Sequence, residues 1–155
     1  KVMYAQNTAH LTMVSGFGAT AFDPQTGSYE YAPVRSAVSW VNATYGKKLR
    51  AGMMLGYMKN LGLSEAASAP IASGDVYFCS NGFSNINQIY RINPQLVYII
   101  GKMNVGLEYQ WTAVQYGEYI KDDSGNKYLN NRAMATDGLH WIGNHRVNMM
   151  IKYNF

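Results

Sequence analysis

Asp122-Asp123-Ser124-Gly125-Asn126 is the stretch of this chain nearest to a ligand-binding pattern. Oxygen-bearing side chains gathered around a glycine are what a calcium loop uses, but the full spacing and its closing Glu are missing. A solvated turn is therefore the expected reading. His10, His140 and His145 lack a metal-ligand spacing. His140 and His145 differ in parity, so on a strand they point to opposite faces. No serine sits in a nucleophile elbow, and no His-Asp partner can be named for one. Cys79 is the single cysteine and has no partner within the chain for a disulfide. Neither an enzyme, nor a metal site, nor a cofactor is expected.

A different kind of chemistry arises if charged residues share one strand face. Arg50, Arg91, Glu108, Arg146 and Lys152 fall on the same polar parity of four candidate strands. Fixed positive charge along a water-filled wall favours anionic solutes. The alternative is that these charges pair across the wall and only hold it rigid. Either use requires that the strands carrying them be neighbours.

Six stretches alternate in the manner of strands: about 2–16, 35–45, 49–60, 86–100, 103–117 and 141–155. They exceed the ~5–6 residues of an ordinary globular strand and reach or pass the ~9–11 of a tilted membrane strand. Met103, Val105, Leu107, Tyr109, Trp111 and Ala113 oppose Asn104, Gly106, Glu108, Gln110 and Thr112. Val41, Ala43 and Tyr45 are placed outward, with Trp40, Asn42 and Thr44 inward. Pro94 removes a ladder donor, so a local bulge is expected there. Connections alternate in length. Gly46-Lys47-Lys48 and Gly101-Lys102 are tight turns, whereas 17–34, 61–85 and 118–140 are long and polar. Ser64 to Ala69 is expected to form one helical turn, and no segment sustains a helical period.

Composition narrows the class. Charged residues make up 14%, against roughly 25% in an average soluble domain. Aromatics reach 14%, with 13 Tyr, beside 15 Gly. Mean hydropathy is -0.21, as a barrel strand permits, because only alternate residues need face lipid. No run approaches the ~18–20 apolar residues of a membrane helix. The net charge of +4 is not gathered into a basic run, so nucleic-acid binding is not expected. The length suits a single domain over 1–155. A start at Lys1 without Met is expected of a mature chain or a fragment.

The final residues decide between the remaining classes. Val147, Met149, Ile151, Tyr153 and Phe155 share one parity, and Asn148, Met150, Lys152 and Asn154 the other. Aromatic rings collect at membrane–water boundaries in outer-membrane barrels. Tyr45, Tyr57, Tyr98, Tyr109, Trp111, Tyr153 and Phe155 are the candidates for such girdles.

The hairpin from Ser39 to Gly52, then Gly56-Tyr57 and Asn60-Leu61-Gly62, together with the ending His145 to Phe155, resembles the C-terminal part of a trimeric Gram-negative outer-membrane porin of the DcaP-like kind. The resemblance implies an antiparallel up-and-down transmembrane β-barrel, an outer-membrane location, a homotrimer and passive diffusion of small hydrophilic solutes, with anions favoured. One long loop would fold inward as a constriction. Six strands are too few for such a pore, which needs about 16–18. The chain is therefore expected to supply the last six strands, with roughly ten N-terminal strands elsewhere. Two other readings stand beside it: a non-conducting structural or adhesin-like outer-membrane barrel, and a soluble lipocalin-like carrier that buries its apolar parity.

Overall fold

Long period-two alternation has few outcomes other than a sheet, and the computed structural model is all-β. It describes residues 2–6, 16–78 and 84–155. The strands are β1 (Val2–Gln6), β2 (Gly16–Asp23), β3 (Ser28–Tyr45), β4 (Leu49–Leu63), β5 (Ile71–Ala72), β6 (Val76–Phe78), β7 (Ile86–Ile100), β8 (Met103–Glu118), β9 (Ile120–Lys121), β10 (Lys127–Leu129) and β11 (Asp137–Tyr153). The main sheet runs β11-β8-β7-β4-β3-β2-β6, with β1 also on β3, and every neighbouring pair is antiparallel. Gln6 pairs with Arg35 and Phe17 with Pro33, so β1 and β2 lie end to end along one edge of β3. The sheet is open. Among the described residues β11 is one edge, paired on one side only, to β8.

The tight turns form where expected. At Gly46 the backbone takes φ +112, and a Cβ there would collide with the carbonyl oxygen of Leu49; only glycine fits. Ile100 pairs with Met103 across Gly101-Lys102. At the other end the long connections differ from expectation. Residues 17–34 are no loop but a hairpin, in which β2 and β3 extend as far as Asp23 and Ser28. The reason is the Asp23 side chain. It accepts Gln25 N at 2.8 Å and Thr26 Oγ1 at 2.7 Å, and so closes a four-residue turn.

The helical turn expected at Ser64 to Ala69 does not form. The segment bends across the sheet instead, and the one 3-10 turn among the described residues is Ser73–Asp75. Ser64 N is drawn to Pro33 O at 2.9 Å and Ala67 N to Asn131 O at 2.7 Å. These tertiary bonds override a weak local preference. Pro94 produces no bulge, since Ile92↔Trp111 and Gln95↔Glu108 keep one register on either side of it. The shifts fall instead at Ala19/Ala21, Arg35/Ser36, Ile86/Gln88 and Asp137/His140, toward the long-loop end. β11 begins at Asp137, earlier than 141, and ends at Tyr153.

The two remaining long connections build a cap. β5, β10 and β9 form a small antiparallel sheet, with Leu129 opposite Ile71 and Tyr128 opposite Ile120. Leu63 N bonds to Arg132 O at 2.9 Å, tying the two connections together. Gly62, at φ +71, permits this approach, because a Cβ would lie 2.6 Å from Arg132 O. The cap's apolar residues Ala67, Ile71, Leu129, Ala133 and Ala135 pack on Ala32, Val34, Met58, Leu63, Ile86 and Ile89 of the sheet. Leu63 and Leu129 are 0% exposed. The core of this chain is the contact between the cap and one half of one sheet face.

Replacing Leu129 with Ala should cost about 2–5 kcal/mol, the usual range for a buried leucine. Amide exchange should then accelerate in β5 and β10 while the β7–β8 ladder keeps its protection. Unchanged exchange in β10 would contradict this assignment of the core.

Candidate functional site

The registers fix which residues share a face. Met3, Val38, Met58, Ile89, Val114 and Ile142 are consecutive partners across six strands and form an apolar row at the foot of the cap. The next row toward the tight turns is Trp40, Gly56, Arg91, Thr112 and Asn144. Beyond it this face turns polar. Gln95 faces Glu108, Glu108 faces Asn148, and Gln110 faces Arg146. Arg50 is opposite Val97, and Lys152 is opposite Asn104. All five charged residues expected together therefore lie on the capped face, in the half the cap leaves uncovered.

Their hydrogen bonds go to neutral groups. Arg91 Nε donates to Thr112 Oγ1 at 3.2 Å, and Gln110 Nε2 reaches the same oxygen at 3.2 Å. Asn148 Nδ2 donates to Glu108 Oε1 at 2.9 Å. Arg50 Nε donates to Lys47 O at 3.3 Å. Arginine is held here by its Nε edge, which keeps the guanidinium oriented without neutralising its charge.

The bare face carries the other parity. Leu107 and Ile151 are 54% and 66% exposed, as an apolar band without a cover would be. Tyr45, Tyr98 and Tyr153 stand at the tight-turn end. Phe155 lies just past β11, its ring 5.2 Å from that of Tyr153, while Asn154 N is tied to Lys102 O at 2.8 Å. Lys48 Nζ lies over Tyr98 at 5.6 Å. At the other end Tyr57 stacks on Tyr90 at 4.8 Å, and Tyr90 meets Trp141 at 5.4 Å. The run from Tyr90 to Tyr98 is about 26 Å long at ~3.3 Å per residue. At the tilt usual for barrels it is about 20 Å tall, near the ~25 Å of a barrel's apolar band. Trp111, opposite Ile92, is one outward step below the upper tier. Tyr109 stands midway between the tiers, its hydroxyl 2.6 Å from His145 Nδ1.

Sequence reasoning missed Tyr90 and Trp141, although parity with Tyr57 was there to find them. It also missed the polar cluster just above that tier. Tyr57 OH donates to Gln88 Oε1 at 2.9 Å, Gln88 Nε2 to Gln115 Oε1 at 2.7 Å, and Lys59 Nζ to Asn87 Oδ1 at 2.6 Å. Lys59, Gln88 and Gln115 on the otherwise apolar parity were the signal. His140 stacks on Tyr116 on the capped face, and His145 is on the bare one. His10 and Cys79 lie outside the described residues.

The Asp122 loop is a closed turn. Its carboxylate accepts Ser124 N at 2.9 Å, Asn126 N at 2.8 Å, Asn126 Nδ2 at 2.8 Å and Tyr128 OH at 3.2 Å. Compared with known protein families, characterised proteins and solved structures, the chain matches none.

The Asn126 side chain, and then its backbone N–H, hold the Asp122 carboxyl below its ordinary 3.8, and the Asp122 charge pushes the Tyr128 hydroxyl up. Because the folded pKa is depressed, the ordering of this loop is complete above the ordinary carboxyl range and is lost as pH falls through the folded value. Amide protection at Ser124 and Asn126 should persist below pH 3.8 and then collapse. Asp122→Ala should abolish it at neutral pH. Protection that survives the substitution would contradict the assignment.

Proposed function

We propose that this chain is the C-terminal portion of a Gram-negative outer-membrane porin, a passive channel for small hydrophilic solutes that favours anions. The observation that carries the reading is the separation of the two faces. One bears an apolar band between two aromatic tiers, which suits contact with lipid. In the half the cap leaves uncovered, the other bears Arg50, Arg91, Arg146 and Lys152 beside Glu108, which suits a wetted wall with a positive bias there. Glu118 and its partner Asp137 lie at the far, cap end of this face. Tight turns at one end and long connections at the other fit the periplasmic and external sides of such a barrel. The open edge of β11 calls for further strands, since an unpaired backbone edge in lipid costs several kcal/mol per group. Roughly ten more would close a barrel of about 16, and the resemblance implies three such barrels per assembly. In this reading the inward element is the cap, which would occupy the external half of the wall.

The cap also favours a second reading, a barrel plugged by its loops and used as a structural or adhesin-like surface, since its core is sealed at Leu63 and Leu129. A soluble lipocalin-like carrier would bury Leu107 and Ile151, and their exposure gives that reading no support.

Single-channel recording of the intact native assembly in a planar bilayer, under a salt gradient, separates these. Conductance in steps of three with an anion-biased reversal potential is expected. Converting Arg91 and Arg146 to Glu should move the reversal potential toward cations. Clean insertion without conductance would reject the open pore and favour the plugged barrel.

A further inference from the structure

Where the apolar row meets the polar one, the capped face holds a hollow of about 570 Å³. Val38, Met58 and Ile89 border it on the cap side, with Trp40, Met54 and Arg91 around the remainder. Gly56 is its floor, between Trp40 and Arg91 in the same row. A Cβ at Gly56 would meet the Cβ of Arg91 and the Sδ of Met54 at 3.7 Å, which is ordinary contact. A side chain would therefore fit there and fill the hollow.

The lining is not that of a general water path. Three methionines (Met3, Met54 and Met58), a tryptophan and aliphatic groups form an adaptable apolar surface, and a single cation stands at its polar border. Arg91 is fixed through Nε by Thr112. Its two terminal amino groups form the edge that matches a carboxylate in bidentate fashion. A wholly hydrophilic solute would leave the methionines in contact with water. A neutral hydrocarbon would make no use of Arg91. Volumes of this size suit a small ligand with one polar anchor.

We propose that this hollow binds a solute with one carboxylate and an apolar tail, of the medium-chain carboxylate class, as it passes along the wall. The proposal deepens the porin reading and rests on it, because the capped face must be wetted. The carboxylate sits on the Arg91 fork, and the tail lies over Gly56 against Met54, Met58 and Trp40.

Titration calorimetry of the intact, detergent-purified assembly with hexanoate tests it without requiring conduction. Hexanoate should bind at least about tenfold more tightly than acetate or hexanol, a gap of one decade in Kd. Arg91→Gln should weaken hexanoate at least about tenfold and leave hexanol unchanged. That variant sees the same micelles, so partition into detergent cancels. Gly56→Leu should weaken both ligands by filling the hollow. Acetate binding as well as hexanoate, or Arg91→Gln without effect, would overturn the proposal. Hexanoate binding in an assembly that does not conduct would keep the subsite and remove the pore. Conduction with no hexanoate binding would keep the pore and remove the subsite.

Discussion

The antiparallel ladder is the constraint on which everything else here depends. Strand side chains alternate with a period of two, so a slip of one residue would exchange the two faces completely. The registers from β3 through β4, β7 and β8 to β11 hold Arg50, Arg91, Glu108, Arg146 and Lys152 on one side. The same registers place Tyr57, Tyr98, Leu107 and Ile151 on the other. Tight turns at Gly46 and Gly101-Lys102 set two of these registers, β3–β4 and β7–β8, and the ladders themselves carry β4–β7 and β8–β11. The chemistry of each face then follows from position alone.

The cap is the second consequence of the ladder. The shifts at Arg35/Ser36 and Ile86/Gln88 occur where strands leave the regular sheet and meet the cap. Asn60, 1% exposed, satisfies the exposed backbone at this point. Its Nδ2 donates to Ile86 O at 2.9 Å, and its Oδ1 accepts Gly62 N at 2.8 Å. A buried amide with both ends bonded costs little, and with either end free it would cost a full desolvation. The apolar residues of one face are thus divided. Those under the cap make a core, and those below it border a hollow beside Arg91.

Strand parity was legible in the sequence because it is local. Each residue's face depends only on its neighbours in the strand, and hairpins with tight turns transmit that choice to the next strand. Five of the six strand positions and the five charged residues of the polar face followed from this; of the strand expected over 2–16, Val2–Gln6 is a strand and 7–15 lie outside the described residues. The structure of the long connections was not legible. Whether residues 17–34 form a loop or a hairpin depends on one aspartate closing a turn, and the β5–β10–β9 cap depends on pairing between segments far apart in the chain. Pro94 misled for a related reason. A missing donor interrupts a ladder, but a bulge needs an extra residue, and both sides here keep the same count. Tyr90, Trp141 and the Gln88–Gln115 cluster were readable by parity in principle. Their meaning depended on height along the sheet, which only the full set of registers supplies.

The central claim is that one face meets lipid and the other water. It is tested most directly by placing one environment-sensitive fluorophore on adjacent residues. Leu107→Cys and Glu108→Cys, each in a Cys79→Ser background, would be labelled in the intact assembly and reconstituted into bilayers. The account predicts that brominated lipid quenches the label at 107 and aqueous iodide quenches the label at 108. Iodide quenching at both positions alike, or lipid quenching at 108, would contradict it.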